Sequence, residues 1–111
     1  MRKLTGEQIL VRIFFGESEK WHHQPMEVAL LERLRKEGFA GATAFRGVAG
    51  FGPNSIMHTS HILRLSEDLP IVVEIVDTEE HIEEKLMPIL DEMLGDGLVT
   101  KERVQVVRYG K

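Results

Sequence analysis

The stretch LPIVVEIVDTEEHIEEKLMPILDEMLGDG, residues 69–97, joins two kinds of hydrophobic periodicity. Its first eight residues are rich in branched aliphatic side chains, and Pro70 suits the start of a strand. The remainder places apolar residues at helical spacing: Ile82, Leu86, Ile89, Leu90, Met93 and Leu94. We therefore predict a strand over residues 69–76, followed by an amphipathic helix that ends at Gly95.

Two local features are predicted for this helix. Asp77 and Glu80 have the spacing of a capping box, in which the side chain of each residue accepts a hydrogen bond from the backbone N–H of the other. Pro88 lies inside the helical pattern, where it removes one backbone hydrogen bond. We expect a local bend at that position.

The N-terminal half of the chain repeats the same strand-to-helix change. QILVRIFF, residues 8–15, alternates apolar and other side chains, which predicts a strand with one buried face. PMEVALLERLRKEG, residues 25–38, follows with an apolar stripe at helical spacing. Pro25 suits the first turn of this helix, and Gly38 suits its C-terminal cap.

Two further strands complete the predicted fold. GATAF, residues 41–45, and RVQVVRY, residues 103–109, have strand-like spacing, whereas SHILRLSED, residues 60–68, fits either a short strand or a helical turn. The resulting β-α-β-β-α-β order is typical of the split βαβ, or ferredoxin-like, α+β fold. We predict one domain over residues 1–111, with an antiparallel sheet and both helices on one face.

The second face of the predicted sheet is also apolar. Leu10, Phe14, Val72 and Val76 lie opposite the residues that would face the helices. Two helices cover only one face, so the other would expose an apolar patch of the kind found at interfaces. We predict a homo-oligomer in which the sheets pack together; scattered apolar surface residues are the alternative.

Composition excludes several classes of protein. Fourteen basic and 18 acidic residues give a formal charge of −4, so nucleic acid is not an expected partner. The absence of cysteine excludes disulfides, thiolate zinc sites and a cysteine nucleophile. Arg12 interrupts the N-terminal apolar stretch, and no apolar run approaches the roughly 20 residues of a membrane span. We expect a soluble, cytoplasmic protein.

Two glycine-rich turns are the candidate binding elements. RGVAGFGPNSIMHTSH, residues 46–61, matches neither the dinucleotide nor the Walker fingerprint. Its backbone amides could still surround a phosphate, or the segment could be only a flexible turn. GDGLVTKERVQVVRYGK, residues 95–111, also leads into a strand, and its basic residues could hold a polyphosphate or merely line a solvated strand edge.

Catalytic and metal motifs are sparse. His58 and His61 have the spacing of a metal-binding pair, but no third ligand is evident nearby. No serine or threonine lies in a nucleophile elbow or beside a base-orienting pattern. We therefore do not expect an enzyme.

The segments GATAFRGVAGFG, SEDLPIVVEIVDTEEHIEEKLMPIL and GDGLV…RVQVVR together resemble the PII-like signalling proteins. The chain is especially similar to the short branch long catalogued as a domain of unknown function, in which GES, RGxxGFG and HT…LRLSEDLP recur in this order. The resemblance covers about residues 9–108. It implies a ferredoxin-like fold, a compact homotrimer, and ADP or ATP bound in clefts between subunits. It also implies a mobile loop after the second strand, here including residues 53–61, that signals to a partner protein.

The resemblance also implies individual binding residues. Those facing the phosphates would come from the first turn, from the second turn and from the end of the last strand: Arg46, Gly47, Gly50, Phe51, Gly52, Gly95, Asp96, Gly97 and Arg108. Thr43 lies close to a position that meets the base. Leu98 replaces a lysine found after GDG in the nitrogen regulators, so that phosphate contact is either missing or made by Lys101 or Arg103. Because Tyr109 is the only tyrosine, control by tyrosine modification is not expected.

With this resemblance, we predict a non-enzymatic, trimeric nucleotide sensor whose ligand is ADP or ATP, with or without magnesium, and which needs no other cofactor. Its protein target is unidentified, and a membrane would be involved only through a membrane-protein target. One alternative is a trimeric divalent-metal-binding protein, similar to the cation-tolerance family on the same fold, that uses His58 and His61. Another is an interaction module without a ligand.

Overall fold

The computed structural model describes residues 4–52 and 68–110 of the chain. Its strands and helical segments follow in this order: β1 (Gly6–Gly16), β2 (Lys20–Trp21), β3 (Gln24–Pro25), α1 (Met26–Lys36), β4 (Ala42–Arg46), β5 (Pro70–Asp77), α2 (Glu79–His81), a π-helical turn (Ile82–Leu86), α3 (Met87–Met93) and β6 (Leu98–Val106). None of the helices in these two ranges is long and apolar enough to cross a membrane.

The main sheet has the strand order β4-β5-β1-β6, and each neighbouring pair is antiparallel. The register places Gly16 opposite Pro70, Phe14 opposite Leu98 and Arg46 opposite Ile71. This arrangement confirms the predicted α+β, ferredoxin-like fold. It also brings the end of β1, the end of β4 and the starts of β5 and β6 to the same end of the sheet, which we call the turn end.

The core lies between the sheet and the two helical segments. One face of β1 is buried through Ile9, Val11, Ile13 and Phe15, as the alternation predicts. The helices meet it with the predicted stripes, which are buried at Met26, Ala29, Leu30, Leu34, Ile82, Leu86, Ile89, Leu90 and Met93. Because full burial of such a side chain stabilises a fold by about 1.5–3 kcal/mol, this cluster supplies most of the driving force for folding.

The start of the second helical segment differs from the prediction. Thr78, not Asp77, is the N-cap, and its hydroxyl accepts a hydrogen bond from the His81 N–H at 3.1 Å. Asp77 is instead the buried last residue of β5, where its carboxylate accepts from the backbone N–H groups of Ala40 and Thr78. The capping-box prediction was wrong because the strand runs through the predicted cap residue.

Pro88 is preceded by a change in the hydrogen-bonding pattern of the helix. Residues 79–93 are helical without a break, but Ile82–Leu86 form a π-helical turn, and the Met87 N–H donates to the Ile82 carbonyl. Because Pro88 has no N–H, the carbonyl four residues before it loses its usual partner. The predicted irregularity therefore takes the form of a widened turn immediately before the proline.

The last strand begins and ends earlier than predicted. β6 covers Leu98–Val106, whereas the sequence favoured residues 103–109. Its extent follows from its pairing with Gly6–Phe14 of β1, and its polar residues, Thr100 to Arg103, are tolerated because β6 is an edge strand. Tyr109 consequently lies beyond the strand, and its hydroxyl donates to the Ala40 carbonyl near the start of β4.

A small hairpin of β2 and β3 was not predicted. His22 and His23 form its tip with φ angles of 48° and 71°, which suits a two-residue type I′ turn. Trp21 anchors the hairpin, because its partly buried side chain packs against the core and its ring stacks on His22 at 4.2 Å. Both histidines are exposed, as expected from the sequence.

Candidate functional site

The first glycine turn begins at the turn end of β4 and packs on Pro70. The Gly47 N–H donates to the Pro70 carbonyl at 2.7 Å. A Cβ on Gly47 would lie 2.7 Å from the Pro70 ring, and a Cβ on Gly50 would lie 3.0 Å from it. These two glycines therefore have a packing role that the sequence did not reveal. Of the other predicted residues here, Phe51 is exposed and Gly52 is partly buried.

Ser18 and Asp68 form a polar cluster beside this turn that was not predicted from the sequence. The Ser18 N–H and hydroxyl both donate to Asp68 Oδ1, at 3.0 and 2.7 Å. Gly16 allows this approach, because a Cβ there would lie only 2.3 Å from the same oxygen. These residues belong to the GES and SEDLP segments. Their proximity follows from the pairing of Gly16 with Pro70, so only knowledge of the β1–β5 register could have predicted it.

Arg46 forms an ion pair next to this cluster. Its guanidinium lies 2.6 Å from Glu17 Oε2, and the two side chains are 61% and 22% exposed. The Glu17 backbone is fixed by an N–H donated to the Leu69 carbonyl at 2.8 Å. The one predicted phosphate-binding cation at the turn end is therefore already paired with a carboxylate of the same chain.

The second glycine turn, residues 95–97, lies at the turn end of the opposite edge strand, β6. Gly97 packs against β1, because a Cβ on it would lie 2.8 Å from the Phe14 carbonyl oxygen. A Cβ on Gly95 would approach Glu19 Oε2 only to 4.0 Å. Asp96 between them is exposed.

The structure does not bring the other predicted cations to these turns within one chain. Lys101 lies 2.5 Å from Glu83 on the helical side of β6. Arg103 pairs with Glu7 at 3.3 Å and with Glu79 at 3.6 Å. Arg108 is exposed beyond the end of β6, at the end of the sheet opposite the two turns. A site that combined Arg108 with either turn would therefore require a second copy of the chain.

Thr43 lines a groove on the face of the sheet that the helices leave uncovered. The groove has a volume of about 280 Å³ and is formed by Leu4, Gly41, Ala42, Thr43, Glu74, Val76, Val106 and Tyr109. Its walls are mainly apolar, and the lining residues with polar side-chain atoms are Thr43, Glu74 and Tyr109. This combination suits a flat heterocycle that also offers hydrogen-bonding atoms.

On the uncovered face, apolar side chains surround a central group of charged side chains. Val72, Val76 and Phe14 are partly buried there, Leu10 is buried, and Phe45 is 51% exposed. Arg12 lies among them between two carboxylates, at 2.9 Å from Glu74 and 2.5 Å from Glu102. The hydrogen bonds to Glu74 and then to Glu102 raise the pKa of the Arg12 guanidinium, which stays charged. The predicted second apolar face is thus confirmed.

The parts of the chain that the structure describes contain no group of three or more histidine, cysteine, aspartate or glutamate residues able to hold a metal ion. His58 and His61, on which the metal-binding alternative depends, lie outside the described residues. Residues 53–61, the part of the chain predicted to form the signalling loop, lie outside the described residues as well.

Comparisons with known proteins agree with this fold. The model of the DUF190 family, described as "Uncharacterized ACR", matches residues 8–106. A UPF0166 protein from Aquifex aeolicus (strain VF5) is 40% identical over 100 residues, which cover 88% of this chain and 91% of that protein.

Two solved structures of CPII from Thiomonas intermedia K12 are also similar. The structure bound to ADP and bicarbonate has a TM-score of 0.60 and 21% identity, covering 92% of this chain and 90% of that one. The other, described as a nitrogen regulatory PII-like protein bound to ADP, AMP and bicarbonate, has a TM-score of 0.58 and 19% identity, covering 93% and 96%. The family match and the 40% identical relative both span most of the chain, which therefore belongs to the DUF190 family, with PII-like proteins as its structural neighbours.

Proposed function

We propose that this protein is a nucleotide-sensing regulator of the PII-like type. It binds ADP or ATP in clefts between the subunits of a homotrimer and passes the nucleotide state to a partner protein. The protein acts through binding and catalyses no reaction. The nucleotide is its ligand, with or without magnesium.

One observation carries the proposal: the two glycine turns lie at the same end of the sheet but on opposite edge strands. Three strand spacings of about 4.8 Å separate β4 from β6, so the turns are roughly 14 Å apart across the sheet. A head-to-tail contact would place the β4 edge of one copy beside the β6 edge of the next. Such contacts are heterologous and can close into a ring, in which each cleft contains both turns.

The groove beside Thr43 supplies a place for the base. Thr43 precedes Gly47 by four residues, which corresponds to about 13 Å along an extended strand. This is comparable with the length of an extended adenine nucleotide. A nucleotide lying along the β4 edge would therefore have its base near Thr43 and Glu74 on the uncovered face. Its phosphates would lie at the end of the strand, where the first glycine turn begins and Arg46 projects from the opposite face.

Two further observations support the proposal. Phe45 is 51% exposed on the uncovered sheet face, which gives a neighbouring copy an apolar surface to bury. CPII, whose fold this chain shares, was solved with ADP bound. A ligand of the same class on the same fold is the simplest expectation for the present protein.

Isothermal titration calorimetry with ADP and ATP, each with and without magnesium, tests this function. We expect saturable binding that approaches one nucleotide per chain. Arg46→Gln should weaken ADP binding by about tenfold or more, because a charge-assisted hydrogen bond contributes about 1.5–3 kcal/mol. Arg35→Gln is the matched control, since Arg35 is exposed on α1. Absence of heat with every nucleotide would contradict the proposal.

A further inference from the structure

The two side chains of the Arg46–Glu17 ion pair differ in solvent exposure. Arg46 is largely exposed, whereas 78% of the Glu17 side chain is covered, since only 22% of it is accessible. The Glu17 backbone donates to the Leu69 carbonyl, and the next residue, Ser18, is tied to Asp68 by two hydrogen bonds. The carboxylate therefore projects from a fixed backbone, and the more exposed guanidinium is the partner with more freedom to move.

Any anion that binds Arg46 meets this carboxylate. Glu17 occupies one Arg46 nitrogen at 2.6 Å, while the remaining guanidinium N–H groups could still donate to a phosphate. The phosphate and the carboxylate would then be close neighbours of like charge, and like charges repel strongly where water is partly excluded. If the phosphate instead displaced Glu17, a mostly covered carboxylate would lose its described cationic partner, which is also costly.

We propose that Glu17 is an internal counter-anion of the phosphate site, which makes anion binding at Arg46 depend on a companion cation. An uncomplexed polyphosphate binds weakly because it competes with Glu17 or is repelled by it. A polyphosphate complexed with a divalent cation has a lower net charge, so Glu17 opposes it less. Glu17 thereby selects the metal-complexed form of the ligand. This inference rests on the proposed nucleotide-binding function.

A purely structural role for Glu17 makes different predictions. If the pair only held residues 16–18 against β4, removing the charge would lower stability and leave the magnesium dependence of binding unchanged. If Glu17 is instead a counter-anion, removal of its charge should strengthen binding of the uncomplexed nucleotide. Glu17→Gln separates these roles, because it keeps the side-chain size and the backbone hydrogen bond to Leu69.

The test is calorimetry of ADP binding to the full-length protein in EDTA and in magnesium chloride. The wild-type protein should bind ADP about tenfold more tightly with magnesium, and Glu17→Gln should bind it about tenfold more tightly than wild type in EDTA, as expected for a lost like-charge contact. The magnesium effect in that variant should fall below about threefold. Glu32→Gln, an equal charge change on the exposed face of α1, should behave as wild type.

Glu17→Asp provides the second variant, because it keeps the charge at the same backbone position. It should retain the magnesium dependence; if it behaves as Glu17→Gln does, side-chain shape rather than charge is responsible, and the inference is overturned. Intact ADP binding with the same magnesium dependence in wild type and Glu17→Gln also overturns it, while leaving the proposed function in place. No ADP binding to the wild-type protein in either buffer overturns both.

Discussion

Phe45→Asp is expected to dissociate the protein into single chains that no longer bind ADP. Phe45 lies on the uncovered face of the edge strand β4, opposite Val72. At 51% exposure its side chain is not needed to fill the core of one chain. In a head-to-tail assembly the same position would be covered by a neighbouring copy. Burial of an unpaired carboxylate there costs several kcal/mol, enough to disrupt the contact.

Light scattering after size exclusion, followed by calorimetry with ADP, measures both effects of Phe45→Asp. Val28→Asp is the matched control, because Val28 is 44% exposed on α1, away from the proposed contact between subunits. It should leave the mass and the affinity unchanged. A Phe45→Asp protein that keeps the wild-type mass and still binds ADP would contradict an inter-subunit site on this face.

Gly97→Ala should both destabilise the protein and weaken ADP binding, whereas Gly95→Ala should leave the fold intact. A Cβ on Gly97 would lie 2.8 Å from the Phe14 carbonyl oxygen and 3.2 Å from the Leu94 side chain. Because the first contact is with the backbone of a central strand, the turn itself must move. Overpacking of this kind costs about 1–3 kcal/mol. The displaced turn amides would then no longer fit the phosphates.

The two alanine variants form a matched pair, since they add the same methyl group two residues apart. Around Gly95 the nearest described atom is Glu19 Oε2, at 4.0 Å from the added Cβ. Urea denaturation should show a lower midpoint for Gly97→Ala alone, and its affinity for ADP should fall by about tenfold or more. Equal stability of the two variants would show that the turn adapts to the added methyl group without strain.

The parts of the fold that depend on local periodicity could be predicted from the sequence. The alternation in β1 and β5 and the apolar stripes of the helices identify their own buried faces, because each face lies within one continuous segment. The start of β6 could not be predicted in this way. Its first residues after Val99 are polar, and they extend the strand only because β1 offers a partner. The β2–β3 hairpin was missed for a related reason, since His22 and His23 are not the usual residues of a type I′ turn.

The candidate site could be predicted only as separate segments. The glycine turns are visible in the sequence, but their positions on opposite edges of the sheet depend on strand order. The contacts of Ser18 with Asp68 and of Glu17 with Arg46 join residues that are far apart in the chain. No local pattern encodes such pairs. They follow from the antiparallel register of β1, β5 and β4, which becomes known only once the sheet is assembled.

Native mass spectrometry of the purified protein, before and after addition of ADP, tests the proposed inter-subunit nucleotide site most directly. One spectrum gives both the number of chains and the number of bound ligands. We expect a species of three chains whose mass rises by up to three ADP molecules, with single chains carrying none. Single chains alone, or a trimer whose mass does not change with ADP, would contradict a nucleotide site formed between subunits.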